Sequence, residues 1–484
     1  MTVILLALLA SSPLIEAVKS GDVQAVRAQL KTGANVNQPE GDGATALHWA
    51  ASRNAADLVR LLLDAGASAR VANDLGVTPL HLAAANGNAA IVKLLLDKKA
   101  DANATAASGV SPLMEAVRGG NVDAVRLLLA SGANVNAHES SRGQTALMWA
   151  VSRQHPDIVK VLLENHADIA ARTEERPVMV MLDQGPRRAV KTSAQDARPV
   201  NMGGSTALML AAQSGSADCA RLLLGAGANA NDVAGDGKSA LVMAAFAGHA
   251  DVAMLLLNAG ADPNAAAAGY TALHAAALRG DVTLVKALLA KGANANAVLT
   301  KGTPVRRFGS QWALSTPMTG GTPLIVAAAY LEVDVMRALV EGGAKADVSL
   351  PNGVTALHLA AGMPIEKEAR PSDLVRWNVI DNDTPQIPRS KDDAVAAVKV
   401  LLGAGANVAA VADSGDTALH GAAFANEPAT IELLVARGAA VDVKNKNGQT
   451  PLSITLPRRS EGRGSGFAGY PEAETMLRKL GASQ

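Results

Sequence analysis

One short pattern returns along this 484-residue chain at a nearly fixed interval, and it limits the fold more than any other feature. It reads Ser12-Pro-Leu-Ile, Thr45-Ala-Leu-His, Thr78-Pro-Leu-His, Ser111-Pro-Leu-Met, Thr145-Ala-Leu-Met and Thr206-Ala-Leu-Met. It goes on through Ser239-Ala-Leu-Val, Thr271-Ala-Leu-His, Thr322-Pro-Leu-Ile, Thr355-Ala-Leu-His, Thr417-Ala-Leu-His and Thr450-Pro-Leu-Ser, twelve units in all. The steps from 12 to 45, 45 to 78, 78 to 111, 206 to 239, 322 to 355 and 417 to 450 are each 33 residues. A length like this would ordinarily suggest about three domains of ~150 residues. A period this short instead makes each unit one small element that cannot bury its apolar face alone, so neighbours must stack.

Each position in the unit has a mechanical reason. Ser or Thr is a good helix N-cap, and Pro directly after it suits the first turn. The Leu and the following Ala residues then give a short helix with a small-residue face that permits close packing. A Gly such as Gly87, Gly215 or Gly280 ends it in the left-handed conformation. A second, amphipathic helix follows, as in Ile91-Val-Lys-Leu-Leu-Leu96. It stops at Gly33, Gly66, Gly132, Gly227 and their equivalents in ten of the twelve units, with Lys99 and His166 in the other two. Turn residues such as Asn73-Asp-Leu-Gly76 lead into the next unit.

The motif and period resemble the ankyrin repeat, whose signature is T-P-L-H-x-A. The resemblance covers nearly all of the chain from Ser12. It implies an all-α solenoid of about twelve helix–turn–helix units with short β-hairpin fingers and a concave face that binds protein partners. The many units and long insertions look like the large ankyrin proteins of environmental bacteria.

Insertions interrupt the period. Thr145 to Thr206 spans 61 residues, Thr271 to Thr322 spans 51 and Thr355 to Thr417 spans 62. An Ala that closes each unit locates them: the first two fall in fingers, near 172–204 and 298–320. The third, near 362–393, separates the helices of its own unit, and a shorter one near 457–470 does the same in the last. Long loops close cheaply, about 0.6 kcal/mol per doubling, so length alone does not argue for use. The insertions do hold Arg306, Arg307, Trp312 and Trp377, residue types that dominate interfaces. Val178-Met-Val-Met-Leu182 suggests an elongated hairpin in the first.

Composition narrows the chemistry. Forty-four basic residues balance forty-four acidic ones, removing the positive field that non-specific nucleic-acid binding needs. One cysteine, Cys219, excludes an internal disulfide framework, and its place on an apolar helix face reads as a buried, inert thiol. Val3–Ala10 is an apolar run long enough for a signal h-region and too short to cross a bilayer. No Lys or Arg precedes it, so residues 1–11 read either as a signal peptide or as a hydrophobic flap. Export, periplasmic or secreted, is the favoured expectation and a cytoplasmic location the alternative.

Five of nine His (His48, His81, His274, His358, His420) occupy the signature position. Zinc needs three or four ligands converging at ~2.0–2.3 Å, whereas one His per unit is spread along a stack, so no metal is expected. Acidic finger residues such as Asp42 and Asp236 read as turn caps, and the Gly-rich strings lack the Lys-Ser/Thr of a phosphate loop. No cofactor or catalytic group is indicated. Positions seven and eight after the Ser/Thr are more informative, because the ankyrin resemblance places them on the concave face. They give Lys19, Arg53, Asn86, Arg118 and Arg153 early in the chain, then Phe246, Leu278, Arg279, Tyr330 and Phe424 late. Trp49 and Trp149, one turn earlier, are expected in the core between units. The reading is a monomeric, non-enzymatic interaction scaffold for a protein partner, with a secreted or envelope-associated effector or adaptor as the alternative and an enzyme with a site formed by the insertions as the outsider.

Overall fold

The computed structural model describes residues 12–182, 197–302, 304–305, 318–364, 375–376, 387–388, 390–457 and 469–483. Residues 1–11 and the insertion residues Arg306, Arg307, Trp312 and Trp377 therefore lie outside the described part. Two compact units divide the chain. One runs to Glu175 and includes Gly203–Ala234; the other holds Arg176–Met202 and everything from Gly235 onward.

Helices alternate in pairs through each unit. The unit-one pair Ala46–Ser52 and Ala56–Asp64 shows why the sequence folds this way. Ala46, Leu47, Ala50 and Ala51 are fully buried, so the first helix packs its small side chains against the first helices of both neighbours. Leu58, Val59, Leu62 and Leu63 bury one stripe of the second helix. At ~25 cal/mol per Å² of apolar surface, one buried Leu contributes about 2 kcal/mol, and the motif repeats that contribution in every pair.

Helix ends follow backbone sterics. Gly33, Gly66 and Gly132 stand at φ 84°, 89° and 84° after the second helices, and a Cβ there would meet nothing within 4 Å. Conformation, not space, selects glycine at these three. Lys99 (φ 63°) and His166 (φ 61°) adopt the same left-handed geometry with a side chain, which costs ~1–2 kcal/mol. Gly119 is the opposite case: a Cβ would sit 2.8 Å from the Ala85 carbonyl, so close helix approach excludes any side chain.

The signature His joins consecutive repeats. Thr45 N donates to His48 Nδ1 (3.0 Å), and His48 Nε2 reaches the Val77 carbonyl of the next unit (3.0 Å). His81, His358 and His420 repeat this with the Val110, Asp416 and Gln449 carbonyls at 3.1, 3.3 and 3.1 Å. A carbonyl only accepts, so the pattern assigns the Nε2–H tautomer to each.

The insertions carry the strands. β1 (Arg176–Leu182) and β2 (Ala197–Met202) form the expected antiparallel hairpin, with Arg176 opposite Met202 and Val180 opposite Arg198. β3 (Pro304–Val305), from the second insertion, pairs with the far side of β1 and completes a sheet of order β2-β1-β3. β4 (Val375–Arg376) and β5 (Ile387–Pro388) pair within the third insertion.

Candidate interaction surface

The late positions of the first helices differ between the two units. In unit one Arg53, Arg118 and Arg153 are all exposed. In the other unit Phe246, Arg279, Tyr330 and Phe424 are half-buried. Leu278 departs from the sequence expectation: at 1% exposure it belongs to the core and is not offered to a partner. The helix Ala272–Arg279 is buried at every position from Ala272 to Leu278, against the first helices Ala240–Ala247 and Pro323–Ala329 on either side.

Trp49 and Trp149 also depart from expectation. Both are half-buried at the edge of the first-helix face, not enclosed between repeats. An indole carries one polar edge, and at Trp49 the face supplies an acceptor for it. Around Trp49 the arrangement is closed. Glu40, from the preceding finger, accepts from Trp49 Nε1 on one oxygen (2.7 Å) and from Lys19 Nζ on the other (2.7 Å). Lys19 also pairs with Glu16 (3.2 Å) and lies 4.6 Å over the Trp49 ring. Hydrogen bonding to Glu40 is the main reason its ammonium is held above the usual lysine range.

The same residue types recur three repeats later. Glu115 and Arg118 stand where Glu16 and Lys19 stand in theirs, and Trp149 and Arg153 match Trp49 and Arg53. Arg118 forms an ion pair with Glu115 at 2.5 Å. Burial raises the Glu115 carboxyl above its ordinary range, outweighing the guanidiniums of Arg118 and Arg153. Glu139 matches Glu40 in register yet points elsewhere: it accepts from the backbone N–H groups of Ser141 (2.5 Å), Arg142 (2.8 Å) and Gln144 (3.1 Å). Burial alone would raise its pKa, but the Ser141 side chain and these backbone donors prevail and hold it low. Trp149 Nε1 is shielded from solvent and has no acceptor among the described residues.

In the second unit Phe246 and Phe424 are paired with other rings. Phe246 packs on Tyr270 at 6.0 Å between centroids, and Phe424 meets Tyr470 edge-on at 6.3 Å. Arg279 Nη1 donates to the Phe246 carbonyl (3.2 Å), and burial lowers its pKa. Cys219 is fully buried, and burial raises its thiol above the ordinary range, which makes it inert. The described residues contain no helix long and apolar enough to cross a membrane.

A family model of ankyrin repeats in three copies matches residues 14–106, 99–173, 178–267 and 208–299, and a single-repeat model matches 414–446. The chain belongs to the ankyrin-repeat family. Among its ankyrin relatives, Neurogenic locus notch homolog protein 1 of Xenopus tropicalis is 34% identical over 152 residues, 30% of this chain and 6% of the relative. B-cell lymphoma 3 protein homolog of Mus musculus is 35% identical over 149 residues, 29% of this chain and 33% of the relative. The chain thus spans a third or less of these relatives. The human ASB11 ankyrin repeat domain has a TM-score of 0.42 at 28% identity, with 52% of this chain and 100% of that one covered.

Sequence reasoning missed one class of residue that ties ankyrin units together. Asn103 Nδ2 donates to the Gly132 carbonyl (2.8 Å) while its Oδ1 accepts from Asn134 N (2.7 Å) in the next repeat. Asn37, Asn136, Asn264 and Asn296 make equivalent paired bonds. The recurrence of Asn at positions 37, 103 and 136, in step with the repeat, was the available signal.

Proposed function

We propose that this ankyrin chain is a non-enzymatic scaffold that binds a protein partner along the first-helix faces, the fingers and the insertions. One observation carries the reading. Side chains late on the first helices, Arg53, Arg118 and Arg153 in one unit and Phe246, Arg279, Tyr330 and Phe424 in the other, stay exposed or half-buried above a core that has consumed the Ala, Leu and Val residues. Such positions serve recognition at no cost to folding, and Trp, Tyr and Arg are the types that anchor interfaces. Arg306, Arg307, Trp312 and Trp377 in the insertions belong to the same proposal. The many-unit plan with long insertions fits the large bacterial type, and a monomer is expected because a stack of this kind completes its own core.

The test is affinity capture with mass spectrometry, repeated with Phe246→Ala, Tyr330→Ala and Phe424→Ala. Loss of a true anchor costs ~2 kcal/mol or more, so at least one variant should lose its partner. If all three retain it at unchanged affinity, the surface is misassigned.

An exported, envelope-associated adaptor is the second reading, supported by the apolar run Val3–Ala10. Cell fractionation with N-terminal sequencing separates it from a cytoplasmic scaffold.

A further inference from the structure

The chain contains two versions of one polar cluster, and the first shows what the second is built to hold. In the first, Glu40 places a carboxylate between a cation and an indole N–H, with both bonds at 2.7 Å. In the second, the cation (Arg118), the indole (Trp149), the helix carboxylate (Glu115) and the exposed guanidinium of Arg153 are all kept in register. Only the bridging carboxylate differs, and the cause is local. In the first finger Asp42 caps Ala44 N (2.9 Å), which leaves Glu40 available. The fourth finger, Glu139-Ser-Ser-Arg-Gly-Gln144, is one residue longer and has no Asp, so Glu139 must serve the finger's own N–H groups.

We infer that the Arg118–Trp149–Arg153 cluster receives a carboxylate side chain, Asp or Glu, from an extended segment of the protein partner. The inference rests on the scaffold reading above and names the chemistry of one contact in it. Glu115 neutralises one of the two guanidiniums, so the cluster keeps one net positive charge that an incoming carboxylate would balance. Trp149 Nε1 supplies the directional bond, as Trp49 Nε1 does for Glu40. Because Nε1 is shielded, entry requires a side chain to swing aside.

The four Trp of the full chain give four indole N–H signals in a ¹⁵N-labelled sample, assignable by Trp→Phe substitution. The probe is a capped Ala-Glu-Ala-Glu-Ala peptide, with its Gln and phosphoserine counterparts as controls. The expected result is a saturable shift of the Trp149 signal with the Glu peptide, and no shift at Trp49. Arg153→Gln and Trp149→Phe should each weaken binding by about tenfold or more, the scale of a lost charge-assisted bond. Glu40→Gln should make Trp49 respond as well. Three results would overturn the inference: no Trp149 response at millimolar peptide, an equal response to the Gln peptide, or a response to phosphoserine alone. So would a shift that depends on protein concentration without peptide, since the occupant would then be a second copy of the chain. Partner capture through Phe246, Tyr330 or Phe424 is read separately. If it persists while the peptide titration fails, only the carboxylate assignment falls.

Discussion

His274 Nε2 donates to the carbonyl of Gly321, 47 residues further along the chain, at 3.4 Å, while Nδ1 accepts from Thr271 N at 3.3 Å. The bond at Nδ1 requires the neutral ring, because a proton there would set it against the Thr271 N–H. Burial is the dominant cause that pushes the His274 pKa down to about 4, and the other four signature His are lowered for the same reason.

Stability should therefore fall in acid, and the sign follows from linkage. The folded pKa lies below the unfolded value of ~6.5, so the unfolded chain takes up protons first as pH drops. The contribution of these rings is complete above about pH 7 and is lost as pH falls below ~6.5, for His274 down to about 4. For His274 alone the loss amounts to about 3 kcal/mol. Urea midpoints measured across this range should decline, and His274→Gln should flatten the slope. A pH-independent midpoint would contradict the assignment.

Lys99→Gly should stabilise the protein. Lys99 is exposed and holds φ 63°, where equivalent units carry Gly, so removing its side chain relieves left-handed strain. A gain of ~1 kcal/mol is expected, seen as a higher denaturation midpoint. Gly132→Lys, the reverse exchange at φ 84° with open space around it, should cost a similar amount.

Asn103→Ala removes both a donor to Gly132 and an acceptor for Asn134 at an exposed junction. The expected loss is ~1–2 kcal/mol. Asn103→Asp keeps the acceptor, so it should lose less. Amide exchange at Asn134 should accelerate with Ala and stay slow with Asp, a distinction that a general loss of stability would not produce.

Leu241→Ala opens a cavity at a side chain 1% exposed in the second unit and should cost ~2–5 kcal/mol. Stability in a stacked repeat is a sum of unit and neighbour terms, so a weakened pair lowers local cooperativity. Thermal unfolding followed by calorimetry should then separate into two transitions.

The sequence by itself determined the period, the helix pairs, their caps and the places where insertions enter. Each depends on residues within one turn of one another, as Thr78 does on His81 or Gly66 on its own φ. It also located the hairpin of β1 and β2, whose alternation is local. Tertiary structure decided which late first-helix side chains remain at the surface. Leu278 and Phe246 each stand seven residues after their cap, yet Leu278 is sealed by its neighbouring helices and Phe246 is only half-buried. It decided the pairing of β1 with β3, whose residues are more than a hundred positions apart. Glu40 and Glu139 show the reason most plainly. They hold the same place in the repeat, but one extra residue in a finger turns one toward a neighbouring indole and the other back onto its own backbone. A hydrogen bond is decided at the scale of an ångström, and only the folded neighbours set a position that finely.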